Sequence, residues 1–404
     1  MSTIVVSPTN VATYPDGGGH FWVYMQYVAA LRKLGCEVIW LERFYSTGDP
    51  ARDEFALRTF FERMHRFGMA GKAMLYTSAG TDSSLQYIGA EAAVVESTVA
   101  RADLLLNFHY GIDPRLLARF RRTALVDIDP GLLQLWIASG QIVVPAHDLY
   151  FTTGETVGTP GAAFSDCGLP WRRIRPGVDL DLWPVVPAPR DGYFTTISSW
   201  IGGVDGEWIT DGAGGFYDNN KRVSFLRFLE LPRVAGRTLE LALCLDESAE
   251  SEARALRNAY GDYRGDPADR RLLEQNGWRV TRAHEQTGSP DAYQRYIQGS
   301  RGEFSCAKPS CMALRNAWIS DRTLCYLATG RPAVVQDTGP SSYLPNGEGL
   351  FRFSTLEEAA QALAAVDADY ERHARAAREI AATWFDSSRI VADMLNQAMA
   401  SRAA

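Results

Sequence analysis

The sequence predicts an α/β protein made of two Rossmann-like domains. Short apolar runs alternate with stretches of helical spacing through the first half, as in a parallel sheet covered on both faces. The alternation breaks at a proline-rich extended stretch and then resumes. At 404 residues the chain is also long for one core, so two domains of ordinary size fit it better.

Residues 3–7 form a buried β-run. The loop Asp16-Gly17-Gly18-Gly19-His20 follows, then apolar residues at helical spacing over 21–34. Residues 37–41 are the next strand. Strand, glycine loop, helix and strand within about 40 residues make a Rossmann-like opening. The loop is not G-x-G-x-x-G, so no dinucleotide cofactor is indicated. Gly18 and Gly19 let backbone come close to a ligand, and Phe21 and Trp22 are aromatics placed to stack on an acceptor. Helices are expected over 52–67, 90–100 and 132–138, with strands over 73–77, 103–108, 125–127 and 148–152.

Residues 174–184 and the run Pro187-Ala188-Pro189 read as a stiff linker, placing a boundary near Pro187. The expected division is 1–186, 187–384 and a terminal helix over 385–404. A strand over 193–198 opens the second domain, and a long glycine-rich loop over 199–220 leads to Lys221. A loop of that length inside a compact domain is usually functional. Strands are expected over 238–245 and 278–281, a helix over 251–260, and a loop over 282–289 holding His284. A helix over 292–297 precedes the stretch 301–339.

That stretch is a strand–loop–helix–strand unit. The loop carries Lys308 and Arg315, and Ser320 sits at the N-cap of a helix opening Asp321-Arg322-Thr323. Gly330 is a good C′ residue, and the last strand exits at Gln336-Asp337-Thr338-Gly339. Helix N-terminal amides beside Arg322, Arg315 and Lys308 would hold a phosphate or diphosphate. A strand over 350–353 and helices over 356–365, 372–383 and 388–400 close the chain.

Net charge is −7 with no basic run, which disfavours nucleic acid as a partner. Six scattered cysteines with no CxxC suggest buried thiols of a reducing compartment and no metal site. No apolar run approaches the ~20 residues of a membrane span and no leader is recognisable, so a cytoplasmic location is expected. Four lysines against 37 arginines suggest a GC-rich bacterial genome.

Residues 321–339 resemble the nucleotide-sugar-binding segment of glycosyltransferases of the GT-B fold, in which a short helix ends in a small residue and Gly before a basic residue, Pro and a β-branched strand. The linker's Gly177-Val178-Asp179 resembles their domain crossing. The resemblance implies two domains facing across a cleft, with the terminal helices returning to the first. It implies transfer of a sugar from a nucleoside-diphosphate sugar to a small-molecule hydroxyl or amine, the donor being a co-substrate and no cofactor required.

His20 matches in position the base of inverting members, and an imidazole suits proton abstraction near neutral pH. Where they carry its Asp partner this chain has Asn107 and His109, leaving Asp127 and Asp129 as the nearest acids and His109 as another candidate base. Lys221, Lys308, Arg315, Ser320, Asp321 and Arg322 would bind the diphosphate and ribose, His284 would border the base, and Gln336, Asp337 and Thr338 would meet the sugar. Retaining members often carry two glutamates with seven residues between them; Ala317 and Cys325 stand there, which favours inversion. Asp127-Ile128-Asp129 also spells the D-x-D of metal-dependent GT-A enzymes but reads better as strand-end acids. An epimerase of the same architecture or a non-catalytic sugar-nucleotide-binding subunit are the alternatives.

Overall fold

A computed structural model describes residues 1–78, 84–202, 207–210, 216–245 and 266–400. The expected helix over 251–260 lies outside these, as do Gly203 and Gly212–Gly215 of the long loop. The chain divides into two compact units. One comprises Met1–Pro160, Phe164–Asp179 and Asp386–Ala404; the other comprises Gly161–Ala163 and Leu180–Phe385.

The first unit holds strands β1 (Thr3–Ser7), β2 (Glu37–Arg43), β3 (Ala73–Thr77), β4 (Gln86–Ile88), β5 (Leu104–Asn107), β6 (Thr123–Asp127), β7 (Leu149–Thr152) and β8 (Trp171–Arg173) in the order 4-3-2-1-5-6-7-8. All pairings are parallel except β3 with β4. β1, β5 and β6 are buried along their whole length, as central strands covered on both faces require. The helix Gly18–Lys33 starts at the glycine loop. A Cβ on Gly17 would lie 2.4 Å from the Tyr14 ring, so the loop needs its glycine there for close packing. The terminal helix Ser387–Ala400 packs on Gly18–Lys33.

The second unit contains β9 (Phe194–Ser199), the hairpin β10 (Trp208–Thr210) and β11 (Phe216–Asp218), β12 (Leu239–Cys244), β13 (Trp278–Arg282), β14 (Gly302–Ser305), β15 (Ala333–Gln336) and β16 (Leu350–Phe353). Its main sheet runs 13-12-9-14-15-16, wholly parallel. Leaving out the hairpin, that is the 3-2-1-4-5-6 order of a doubly wound dinucleotide-type sheet. Its core includes Phe194, Trp200, Phe225, Leu241, Trp278, Phe304 and Phe353. This unit begins at Leu180, earlier than Pro187, because residues 180–186 bond within it: Arg378 donates to the Leu180 and Trp183 carbonyls, and Arg331 to the Val186 carbonyl.

Three expectations need correction. The long loop after β9 contains a β-hairpin, residues 283–287 are helical and not a loop, and Pro309–Leu314 is a helix. Short elements bounded by Gly and Pro carry too few residues for periodicity to register. No described helix is long and apolar enough to cross a membrane.

Candidate functional sites

In open α/β sheets ligands bind beyond the carboxyl ends of the strands where the strand order reverses. In the second unit that is the pair β9 and β14, whose exit loops carry Lys221 and Lys308. Lys221 opens the helix Lys221–Leu226 and is 7% exposed. Its Nζ donates to the Cys306 carbonyl at 2.5 Å and lies 5.5 Å from the Trp318 ring centroid. Burial, with repulsion from Arg322 and Lys308, lowers its pKa to about 8. The Lys308 ammonium meets Glu207 at 2.6 Å.

A frame of amides holds these loops together. Asn220 Oδ1 accepts from the Gly202 and Glu207 amides, Asn219 Oδ1 from the Ser310 amide, and Gln336 Oε1 from the Ala307 amide. Asn219 also donates to Glu207 at 2.6 Å. Gln336 thus shapes the loop after β14 through its carbonyl. Thr338 donates its hydroxyl to the Trp318 carbonyl.

Between Leu314 and Ser320 the backbone turns through two left-handed residues, Arg315 (φ 47°) and Ala317 (φ 56°). Such conformations are costly for residues with a Cβ and tend to collect at functional loops. Gly339 makes the turn possible. A Cβ there would stand 2.7 Å from the Arg315 carbonyl oxygen. Ser320 caps the helix Asp321–Ala328, accepting from the Arg322 amide at 3.3 Å, and Gly330 has φ 74°. Asp321 lies in the first turn, half-buried. Arg315 presents an exposed side chain.

Arg322 corrects the expectation. Its guanidinium turns inward, donating from Nε to Glu303 (2.8 Å), from one terminal nitrogen to the Ile197 carbonyl (2.7 Å) and from the other to Ser305 Oγ (2.6 Å). It ties β9 to β14 beneath the loops instead of reaching a phosphate. Asp337 pairs with Arg352 and accepts from the Gly339 amide, so it is a turn anchor here. His284 is more than half exposed beyond the edge strand β13, two strands from β9.

In the first unit the order reverses between β1 and β5. His20 follows β1, its Nε2 2.6 Å from the Thr9 carbonyl oxygen. A carbonyl only accepts, so Nε2 carries the proton and Nδ1 is the basic nitrogen. His109 follows β5, its Nε2 2.8 Å from the Tyr45 hydroxyl. Burial, aided by the Arg43 charge, lowers its pKa to about 4, so the ring is neutral. Its Nδ1 and the hydroxyl of Ser7, which ends β1, are buried without a hydrogen-bond partner.

Asn107 secures this corner. Its side-chain amide accepts from the His109 amide and donates to His147 Nε2. His147 Nδ1 in turn faces the Pro145 carbonyl. On β2, Glu42 is fully buried and accepts from the Ala12 amide and the Trp40 indole, fixing the loop that precedes His20. Burial raises its pKa to about 7.

Asp129 accepts from the Tyr110 hydroxyl at 3.0 Å. Asp127 accepts from Gln134 and Thr152, with burial raising its pKa to about 6. These acids brace the exit of β6, and among the described residues no group of three or more His, Cys, Asp and Glu could hold a metal ion. Phe21 and Trp22 are 0% and 3% exposed and pack on Phe67, so they are core and cannot stack on an acceptor. Gly18 and Gly19 form the first turn of the helix. Ser7, Arg43 and His147 escape sequence reading. Each is an ordinary residue at or beyond a strand end, recognisable only once the strand order is known.

Solved structures resemble the whole chain. Sucrose-phosphate synthase from Thermosynechococcus elongatus is 13% identical over 100% of both chains, with a TM-score of 0.52. An α-glucosyltransferase in complex with UDP and a 13-mer DNA is 13% identical over 98% of this chain and 99% of its own, with a TM-score of 0.55. Anabaena HepE in complex with UDP and glucose is 13% identical over 98% and 99%, with a TM-score of 0.51. No protein-family model and no curated protein matches. The likeness establishes the class: this is a protein of the GT-B fold, with two Rossmann-like units.

Proposed function

We propose that the protein is a glycosyltransferase that moves a sugar from a nucleoside-diphosphate sugar to a hydroxyl or amine of a small acceptor. The observation that carries this is Lys221, a buried ammonium with no carboxylate partner among the described residues, at the exits of β9 and β14. A diphosphate would give that charge its counter-ion. Lys308, on releasing Glu207, and the amides around Ser320 would complete the anion's surroundings, so fixed charges and dipoles replace a metal ion.

Several structural neighbours hold UDP or UDP-glucose, which supports a uridine donor. The α-glucosyltransferase among them is bound to DNA. A net charge of −7 supports a small acceptor over a phosphate backbone here. His20, basic at Nδ1, would take the acceptor proton. Ala317 and Cys325 are almost fully buried and supply no carboxylate to a donor sugar, which supports inversion.

The test is calorimetric titration with UDP, followed by UDP release from UDP-glucose with and without acceptors. Saturable UDP binding and acceptor-dependent release are expected. Absence of UDP binding would defeat the proposal, and change of the sugar without acceptor would make the protein an epimerase.

A further inference from the structure

We propose that the acceptor carries an anionic group, a phosphate monoester or a carboxylate, held by Arg43 at the carboxyl edge of the first sheet. The anion site rests on the first unit's geometry; that its ligand is the acceptor rests on the glycosyltransferase reading.

Arg43 ends β2, beside the strand where the order reverses. Its half-buried guanidinium lies 4.7 Å from the Tyr45 ring centroid and donates to the Ser78 carbonyl at a long 3.4 Å. Among the described residues it forms no ion pair. Its neighbour Arg115 differs, with Asp113 at 2.7 Å. Glu42, next in sequence, points to the opposite face of the strand and is committed to the Ala12 amide and the Trp40 indole. A half-buried guanidinium with no carboxylate partner among the described residues is poorly compensated by one phenol ring and its hydroxyl and one long hydrogen bond.

The second observation is independent. The Tyr45 hydroxyl, over which Arg43 sits, bonds His109 Nε2. Arg43, which can only donate, is hydrogen-bonded to the Tyr45 oxygen, so the phenol directs its own proton to His109 Nε2 and the neutral imidazole is protonated at Nδ1. That Nδ1 is buried without a partner in a residue 6% exposed. An unsatisfied buried donor is destabilising, so its retention calls for a ligand atom that accepts. One cluster therefore holds a poorly compensated cation and an unpartnered donor. An oxyanion, with negative charge and several lone pairs, satisfies both. A neutral hydroxyl compound satisfies only the second.

The experiment uses full-length Lys221→Met protein, so that anions bound at the second unit's lysine do not interfere. The imidazole nitrogens are observed by NMR, which is tractable with six histidines, and His109 is identified by the loss of its signals in His109→Gln. Sodium phosphate and sodium glucuronate are titrated separately at constant ionic strength. A saturable shift of the His109 signals is expected with one or both anions, and their relative affinities distinguish phosphate from carboxylate. Adding Arg43→Met should weaken binding at least tenfold, while Arg43→Lys, which keeps the charge and reports on folding, should retain part of it. A His109 signal unmoved by either anion, or equal affinity in Arg43→Met protein, overturns the site. UDP titration of the wild-type protein separately decides the glycosyltransferase reading and leaves these titrations unaffected.

Discussion

The Lys221 ammonium donates to the Cys306 carbonyl across the exits of β9 and β14, 2.5 Å apart. A carbonyl is a dipole and not a counter-ion, so the lysine remains electrostatically unsatisfied, and burial holds its pKa near 8. Substituting Lys221 with Met should weaken UDP binding about 10–100-fold, the worth of one or two charge-assisted hydrogen bonds. Because the ammonium is poorly compensated, the same variant should unfold at or above the wild-type temperature. A loss of stability with unchanged UDP affinity would make Lys221 a structural residue.

The sign of the pH effect follows. The folded-state pKa of Lys221 lies below its ordinary 10.5, so the unfolded chain binds more protons between about pH 8 and 10.5 and stability from this group rises across that window. A bound diphosphate favours the charged form and raises the pKa again. UDP binding should therefore take up a proton at pH 8–9 and weaken as pH rises above 8. Calorimetry in buffers of different ionisation enthalpy measures the uptake, and Lys221→Met should abolish it.

Arg322 and Glu303 form a buried ion pair, and removal of one member leaves a charge without compensation. Arg322→Met should destabilise by about 3–5 kcal/mol. The double variant with Glu303→Leu should recover at least half of that in denaturant unfolding, since Glu303 Oε2 already lacks a partner.

Glu42 predicts a second pH effect. Burial raises its pKa from 4.5 to about 7. Its contribution to stability is then complete below pH 4.5 and is lost as pH rises through 7, by roughly 3 kcal/mol at about 1.4 kcal/mol per pH unit. Asp127 titrates in the same sense, so the informative quantity is the difference from Glu42→Gln. The stability gap between the two proteins should change between pH 5 and 8, and a pH-independent gap would refute the assignment.

His20→Ala should lower kcat by about 10²–10⁴ if its imidazole is the general base, with the UDP Kd unchanged. Retention of turnover would transfer that role to another group of the first unit.

Local chemistry made much of the molecule legible from residues alone. The βα alternation, Ser320 as a helix cap, Gly330 as a C′ residue and Lys221 at a helix start all follow from periodicity, capping and turn preferences that act over a few residues. The tertiary structure decided what each polar side chain faces. Arg322 turned from an anion ligand into a clamp between strands, because Glu303 lies on the adjacent strand surface and accepts its charge. Phe21 and Trp22 became core through Phe67, a residue far along the chain. Arg43, Tyr45 and His109 became one cluster only because β2 and β5 flank β1. Strand order is a long-range property set by which apolar faces bury together, and single-chain periodicity carries no record of it.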